Sequence, residues 1–327
     1  MTQQISRRAL LAGLGAAALT GCHGILGGAP DTALATGPDG SPSPTPPPPV
    51  TVNTARGPVT VPGAPLRVVT LDTAELDSAM TLGITPVGAA RAPVDQDLPD
   101  YWPVSRLARI RDVGTIGNPD YTAIRALRPD LILSNQTTDG THYDVLRELA
   151  PTVLTQTTGS AWKDNFQLHA QALSRQRAAA AFVGSYQRHV SQVVQGLSAA
   201  GRAGRRISLV RFVEGAGIRL YGRQSFPGTL LSDVQLGRPD AQNVDQFAVE
   251  IPADQIARAD GDHLFYATYG DPGRAGATAV LASPGWQALG AVRAHRAFPV
   301  DDQLWFQGIG YTGANAVLDE LLRLLGG

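Results

Sequence analysis

The sequence predicts an α/β fold in which one long helical segment joins two lobes. Apolar residues such as Phe182 and Tyr186 recur at steps of three and four across residues 160–204, which is the spacing of an amphipathic helix. Short apolar strand candidates alternate with helical patterns on both sides of this stretch. Such alternation is typical of mostly parallel sheets covered on both faces by helices. We therefore expect a rigid helical spacer, which a break at Ser174 would divide into two helices.

The composition is that of a folded chain with room for two domains. It has 327 residues, of which 43% are hydrophobic, and roughly 150 residues is typical of one domain. A net charge of -1 argues against a nucleic-acid partner, because binding phosphates requires a basic surface. The single cysteine, Cys22, excludes an intramolecular disulfide and a cysteine-rich metal cluster. The six histidines are scattered singly, so we expect no bare-metal site and no metal-ligating residues.

The N-terminal 50 residues are expected to direct export and anchoring rather than to fold. Arg7 and Arg8 precede a short apolar stretch, which predicts an export signal over residues 1–21 by either the twin-arginine or the Sec route. Leu19, Thr20 and Gly21 before Cys22 resemble a bacterial lipobox, so Cys22 is expected to carry lipid on the outer face of the cytoplasmic membrane. Residues 22–50 are rich in proline and glycine and are expected to form a disordered tether.

The first lobe is expected over residues 51–160. Alternation about a Gly-Pro pair predicts an edge hairpin over residues 51–61, and Asn118-Pro119 would cap the helix that begins at Asp120. Buried-strand and helical patterns then alternate, as the parallel sheet requires. The strands are expected over 67–71, 85–89, 131–134 and 152–155, and the helices over 73–82, 120–127 and 141–149.

The second lobe is expected over residues 205–327, after a spacer region at 161–204. The pattern restarts with two strands joined by a glycine-rich turn at residues 214–217, and Pro227 lies near the start of the next helix. The strands are expected over 207–211, 218–221, 263–266 and 298–300, and the helices over 226–233, 252–259 and 313–325.

The order of these segments resembles that of the substrate-binding lipoproteins of bacterial ABC importers for iron-siderophores. The likeness covers about residues 51–327 and includes the lipobox. It implies a periplasmic binding protein of class III, with two Rossmann-like lobes, mostly parallel sheets and a long interdomain helix. The segments that carry the resemblance are 67–72, 82–88, 112–120, 123–133, 149–153, 220–222 and 300–305.

The resemblance also implies a function, which is capture of a ferric siderophore in the cleft between the lobes and delivery to an ABC importer permease. The chelator supplies the oxygen ligands of the iron, so the protein itself would carry no covalent cofactor and perform no catalysis. Arginines would bond the oxygens of a hydroxamate- or carboxylate-type chelate, and aromatic rings would contact its apolar rim. A monomer is expected. Because the spacer is a helix rather than a pair of strands, we expect only a small closure on binding.

The candidate site residues follow from positions after the predicted strands and from the resemblance. Trp305 and Phe247 match family positions in the cleft, whereas Ile116 stands where relatives often carry a cleft arginine. For permease docking, the acidic family position of the second lobe corresponds to Asp254. That of the first lobe falls on Thr122, so Asp120, two residues earlier, is the candidate there. The full set of ligand-binding candidates is Trp305, Phe247, Arg211, Arg223, Tyr221, Arg91, Trp162 and Tyr269.

Three other functions remain possible on the sequence alone. Haem, bound through an axial residue such as Tyr221, or cobalamin could replace the siderophore in the same fold. A surface lipoprotein that binds a partner without transport is another reading. An enzyme is disfavoured because the chain has no Gly-x-Ser-x-Gly elbow and its only cysteine is assigned to lipid.

Overall fold

The computed structural model describes residues 47–326, so the predicted export signal, Cys22 and most of the predicted tether lie outside the described residues. The strands are β1 Val50–Thr54, β2 Gly57–Val61, β3 Val68–Thr70, β4 Gly88–Arg91, β5 Arg111–Thr115, β6 Asn118–Pro119, β7 Leu131–Asn135, β8 Thr152–Thr155, β9 Ile207–Val213, β10 Gly217–Tyr221, β11 Ala248–Ile251, β12 His263–Tyr269 and β13 Ala297–Pro299. The α-helices are α1 Thr73–Thr81, α2 Val104–Leu107, α3 Tyr121–Leu127, α4 Gln136–Asp139, α5 Tyr143–Leu149, α6 Trp162–Ala172, α7 Gln176–Ala199, α8 Phe226–Asp233, α9 Ala277–Leu281, α10 Pro284–Gln287, α11 Gly290–Arg293, α12 Asp302–Trp305 and α13 Tyr311–Leu325.

The predicted edge hairpin is confirmed as the antiparallel pair β1 and β2. Val52 and Val61 point into the core, as the alternating pattern requires. The hairpin turn is tied to the first lobe by a hydrogen bond of 2.9 Å from Ala55 N to Leu154 O. The hairpin therefore packs on the first lobe as an extra two-stranded layer.

The first-lobe sheet has six strands in the order β6-β5-β4-β3-β7-β8. All neighbours are parallel except β6, which runs antiparallel to β5. Strand β5 was not predicted, because Val113 is the only buried residue among its five. The carboxyl ends of parallel strands meet at one edge of a sheet, where α/β folds usually place their ligands. Asp72, Arg91 and Asn135 lie at or just after the ends of three of these strands.

The second-lobe sheet is mixed, in the order β11-β10-β9-β12-β13. Strands β9, β12 and β13 are parallel, whereas β9, β10 and β11 form an antiparallel meander. The turn at residues 214–217 is the hairpin connection between β9 and β10, as predicted. Strand β11 was not predicted, because it is a short edge strand in which only Ile251 is buried.

The spacer is confirmed as two helices, α6 and α7, that meet at Ser174. Ser174 has a φ of 54°, a left-handed conformation that cannot continue a helix. Helix α7 has 24 residues and is about 36 Å long at the helical rise. It packs against α13 so closely that a Cβ on Gly196 would lie 2.6 Å from Leu322 Cδ1. This close approach favours a small residue at position 196. Helix α7 therefore packs on the second lobe, whereas α6 contacts α1, β1 and β8 of the first lobe.

Local details differ from the predictions at three helices. The cap of α3 is Asp120 and not Asn118-Pro119, since its carboxylate accepts hydrogen bonds from the backbone of Thr122 and Ala123. The helix predicted over 252–259 is a 3-10 segment, Ala253–Ala259, and the one over 141–149 begins at Tyr143. Within the described range, no helix is both long and apolar enough to span a bilayer.

Candidate functional site

The two lobes contact each other through loops that follow their strands. Gln307 of the second lobe donates a hydrogen bond of 3.1 Å to Asp95 Oδ2 of the first lobe. The backbone N–H of Asp100 donates to Gln303 Oε1 at 3.1 Å. At another contact, the N–H of Ser160 donates to the carbonyl of Gln224 at 3.1 Å. The candidate cleft residues of the second lobe lie in and beside these contact loops.

Arg211 is the centre of a buried polar cluster. Its Nε and Nη2 atoms donate to the two carboxylate oxygens of Asp302, at 2.6 and 2.5 Å. Its Nη1 atom donates to the hydroxyl of Tyr221 at 3.2 Å. The guanidinium lies 4.5 Å from the centroid of the Tyr269 ring and 5.3 Å from that of Phe306. The structure thus brings together Arg211, Tyr221 and Tyr269, three residues that the sequence marked separately.

Electrostatics holds Arg211 in its charged form. Burial by itself would lower the pKa of Arg211, but Tyr221 and the hydrogen-bonded carboxylate of Asp302 outweigh it and raise the pKa. The bidentate geometry is the strongest form of an arginine–carboxylate pair. Arg211 is therefore a permanent cation whose partner is supplied by the chain itself.

An aromatic patch lies beside this cluster. The buried Tyr221 ring contacts Phe306, with ring centroids 4.7 Å apart, and Phe247, at 5.2 Å. The Phe247 side chain is 48% exposed, an unusual position for a large apolar residue. A Cβ added at Gly159 of the first lobe would lie 3.6 Å from the Phe247 ring. Phe247 therefore offers an exposed aromatic face next to the first lobe.

The structure does not place the two candidate tryptophans in the cleft. Trp305 is 0% exposed, stacks on Phe265 at 4.9 Å and donates from its indole nitrogen to Glu320. Trp162 is 2% exposed and donates to Thr229 Oγ1 at 2.8 Å. Both are core residues, contrary to the expectation, because burying a large ring with its N–H satisfied is favourable. In this conformation neither side chain can contact a ligand.

The remaining candidate arginines lie in exposed ion pairs. Arg91 Nε is 3.2 Å from Asp112 Oδ2, and Arg223 Nη2 is 2.8 Å from Asp245 Oδ2. Solvent screening keeps such surface pairs weak, so they are easily exchanged for other partners. Arg91 also lines a cavity of about 460 Å³ in the first lobe, together with Asp97.

A second cavity, of about 450 Å³, lies between the lobes. The loop that carries Asp95 forms its first-lobe wall, and Glu214, Asp271 and Arg274 lie on the second-lobe wall. Arg274 is paired with Glu214, at 2.6 Å between Nε and Oε1. The lining therefore carries more negative than positive charge.

Comparison with known proteins assigns the family. The sequence profile described as "Periplasmic binding protein" matches residues 68–304, which is more than half of the chain. The chain belongs to the periplasmic binding protein family. Its members are substrate-binding proteins, which agrees with the absence of an enzyme motif noted in the sequence.

Individual relatives of this periplasmic binding protein carry names that refer to siderophores or ferric citrate. The "Probable siderophore-binding lipoprotein YfiY" of Bacillus subtilis is 31% identical, over 80% of this chain and 82% of the relative. The "Fe(3+)-citrate-binding protein YfmC" of the same organism is 27% identical, over 83% and 85%. Among solved structures, Staphylococcus aureus SirA complexed with staphyloferrin B matches with a TM-score of 0.76 and 26% identity, over 84% of this chain and 98% of SirA.

The two candidate docking acids of this binding protein differ in their surroundings. Asp254 lies on the exposed 3-10 segment after β11. Asp120 is exposed too, but its Oδ1 atom already caps α3 by accepting from Thr122 N at 2.9 Å and from Ala123 N at 3.0 Å. The cap uses only Oδ1 of Asp120, so both residues stay candidates.

The haem alternative named Tyr221 as one example of an axial ligand. Its hydroxyl is buried and bonded to Arg211, so it is not presented to a ligand in this structure. Among the residues described, no group of three or more histidine, cysteine, aspartate or glutamate side chains could hold a metal ion.

Asp77 forms a cross-lobe contact that sequence reasoning missed. Its carboxylate, on α1 of the first lobe, accepts from the backbone N–H of Gly313 at 3.1 Å and from Tyr101 OH at 3.0 Å. It thereby caps the N-terminus of α13 in the second lobe. A Cβ on Gly310, the residue before α13, would lie 2.0 Å from Asp77 Oδ1, which explains the glycine. Burial raises the pKa of Asp77 to about 6.

The first lobe also buries three acidic side chains near the end of β3. Both carboxyl oxygens of Glu75 lack a hydrogen-bond partner, and the nearest cation candidate is His169, 3.8 Å away. Burial lowers the pKa of His169 to about 3, so the imidazole is neutral. Burial and the neighbouring Asp72 raise the pKa of Glu75 well above its usual range. Burial likewise raises the pKa of Asp72 and of Asp139.

Other contributors to the candidate cleft were also missed: Asp302, Phe306, Gln307 and Asp95. Asp302 lies in the 300–305 segment that carried part of the family resemblance, and this was the one available signal. Nothing local relates it to Arg211, which is 91 residues earlier in the chain. Only the packing of α12 against β12 and β9 places the two side chains together.

Proposed function

We propose that this chain is an extracytoplasmic lipoprotein that binds a ferric siderophore, of hydroxamate or carboxylate type, between its lobes and delivers it to an ABC importer permease. The observation that carries the proposal is the similarity to SirA, at a TM-score of 0.76 over 84% of the chain, because that structure is complexed with staphyloferrin B. The relatives named for siderophores and ferric citrate support the same ligand class.

The site chemistry of the chain is consistent with this ligand class. A ferric chelate offers a rim of carbon and a set of oxygens with partial or full negative charge. Phe247 can contact the rim, and the N–H groups of Arg91 and Arg223 can bond the oxygens after their weak surface pairs open. The chelator, and not the protein, ligates the iron.

The location and partners complete the proposal. The lipobox at Cys22 would anchor the mature chain, and the proline-rich tether would hold the folded part off the membrane. Asp254 and Asp120, one on each lobe, would contact basic residues of the permease. We propose that the protein acts as a monomer. The 24-residue helix α7 would allow only a small closure, which small-angle scattering with and without ligand would measure.

Ligand binding is tested by titration of residues 46–327 with ferric hydroxamate, catecholate and citrate complexes, and with haem and cobalamin. The described part of this unit is compact and holds Trp102, Trp162, Trp286 and Trp305, so quenching of tryptophan fluorescence reports binding. We expect saturable quenching by a ferric chelate. Saturation by haem or cobalamin alone would overturn the assigned ligand while leaving the fold assignment intact.

The substitution Phe247→Ala tests whether the ligand binds beside Phe247. This variant should weaken binding about tenfold, a typical cost for losing an exposed aromatic anchor, without changing stability. The matched control is Leu66→Ala, which removes another exposed apolar side chain, two residues before β3. Equal effects of the two substitutions, or none from Phe247→Ala, would place the ligand elsewhere.

A further inference from the structure

The arginines that the sequence assigns to ligand oxygens all face a carboxylate of the same chain. If these carboxylates stay in place, the ligand meets neutral pairs and not free cations. The pairs are Arg91 with Asp112, Arg211 with Asp302, and Arg223 with Asp245.

The pair of Arg211 differs from the other two in burial and in the number of bonds. The side chains of Arg211 and Asp302 are only 10% and 12% exposed, and two short hydrogen bonds join them. Gln307 also donates to Asp302 Oδ2, at 2.8 Å, so the carboxylate is held from a second side. An anionic ligand oxygen that bonded Nε or Nη2 of Arg211 would have to displace Asp302, and breaking a buried ion pair is strongly unfavourable. Asp302 therefore already occupies the position that such an oxygen would take.

The charged residues near Asp302 also disfavour an anionic ligand. Gln307 links Asp302 to Asp95 across the lobes. The 450 Å³ cavity beside Asp95 has Glu214 and Asp271 on its other wall, and Arg274 there is paired with Glu214. A chelate with uncompensated carboxylates would be repelled at this end of the cleft, whereas an ammonium group would be attracted.

We propose that Asp302 sets the charge selectivity of the cleft, so that ferric chelates of neutral or positive net charge bind more tightly than polycarboxylate chelates. This inference rests on the proposed function and narrows its ligand class from hydroxamate or carboxylate to hydroxamate. Asp302 acts by neutralising Arg211, as a specificity-determining residue. One relative is named for binding ferric citrate. The inference therefore expects this chain to differ from that relative in its ligand.

The test compares two probes on the wild type and on Asp302→Asn. The probes are ferric citrate and the ferric complex of desferrioxamine B, a linear trihydroxamate with a free ammonium group. Asparagine has the size of aspartate and keeps one acceptor for Arg211, but it leaves the guanidinium charge uncompensated. The matched control is Asp319→Asn, which removes one negative charge from the exposed face of α13, where Asp319 pairs with His189. Circular dichroism confirms folding of each variant.

We expect the wild type to bind the trihydroxamate complex at least about tenfold more tightly than ferric citrate. Asp302→Asn should tighten citrate binding about tenfold and change trihydroxamate binding by less, and Asp319→Asn should change neither. Tighter binding of citrate by the wild type would overturn the inference and leave the proposed function standing. So would a folded Asp302→Asn variant with unchanged citrate affinity, or an equal gain from Asp319→Asn. If Asp302→Asn does not fold, the inference is tested by the wild type alone, through the ratio of its affinities for the trihydroxamate complex and for ferric citrate. Binding of no ferric chelate at all would overturn the proposed function as well.

Discussion

The two lobes bury charged side chains in opposite ways. In the second lobe, Arg211 and Asp302 form a bidentate pair in which each charge compensates the other. In the first lobe, Asp72, Glu75 and Asp139 are buried together, and no lysine or arginine of the described chain forms an ion pair with them. Desolvation penalises a charge unless a partner compensates it. The buried pair of the second lobe therefore keeps Arg211 charged, whereas burial in the first lobe favours the protonated, neutral form of its three acids.

The largest effect on stability should come from removing Asp302, the anionic partner of Arg211. Asp302→Ala leaves Arg211 buried without a counter-ion, and we expect the free energy of unfolding to fall by about 3–5 kcal/mol. Urea denaturation measures this change. Asp245→Ala is the matched control, because it breaks the exposed pair with Arg223 and should lower the free energy of unfolding much less. Similar losses in the two variants would show that burial does not strengthen the Arg211 pair.

The second-largest effect should be a pH dependence of the free energy of unfolding, caused by the titration of Asp77. Its pKa is about 6 in the folded protein and 3.8 in the unfolded reference, so the folded state binds the proton more tightly. The stability that protonation provides is complete below the unfolded pKa and is lost as the pH rises through about 6. The free energy of unfolding should therefore fall between these values by at most about 1.4 kcal/mol per pH unit.

Asp77→Asn isolates that contribution, since asparagine does not titrate. Urea denaturation from pH 4 to pH 7 should give a smaller pH slope for this variant than for the wild type. Asp254→Asn, a change at an exposed carboxylate of the second lobe, is the control and should leave the slope unchanged. An Asp77→Asn slope equal to that of the wild type would contradict a raised pKa at this position.

The smallest effect should come from replacing Glu75, whose pKa is raised by burial and by Asp72, which favours its neutral form. Protonated Glu75 and glutamine have the same charge and nearly the same shape, so Glu75→Gln should change the free energy of unfolding at pH 7 by less than about 1 kcal/mol. Infrared difference spectra should also lose the carbonyl band of a protonated carboxyl group. Glu148→Gln, at an exposed position of α5, provides the baseline. A loss of about 3 kcal/mol or more would mean that Glu75 is ionised and paired with His169.

Local patterns predicted most of the fold because they reflect the packing of single elements. The hairpin, the two spacer helices and the break at Ser174 were predicted correctly, whereas the strand predicted over 85–89 is shifted to Gly88–Arg91. Elements with little buried apolar surface, such as β5, were missed. Periodicity is visible only where one face of an element is buried, so the omission of β5 and of β11 has the same physical cause.

The candidate site was predicted less well than the fold. Composition could not distinguish Phe247, which is exposed beside the first lobe, from Trp305, which is sealed in the core. Both are large aromatic residues at positions that the family resemblance assigned to the cleft. Their exposure depends on which elements cover them, and Phe265 and Glu320 enclose Trp305.

The sequence by itself determined the order and type of the main elements, the division into two lobes and the family, since each of these depends on patterns within a short window or on their succession. The tertiary structure decided which charges are paired. Asp302 reaches Arg211 across 91 residues, and Asp77 caps a helix 236 residues away. A hydrogen bond requires atoms to meet within about 3 Å, and only the packing of distant elements sets such distances.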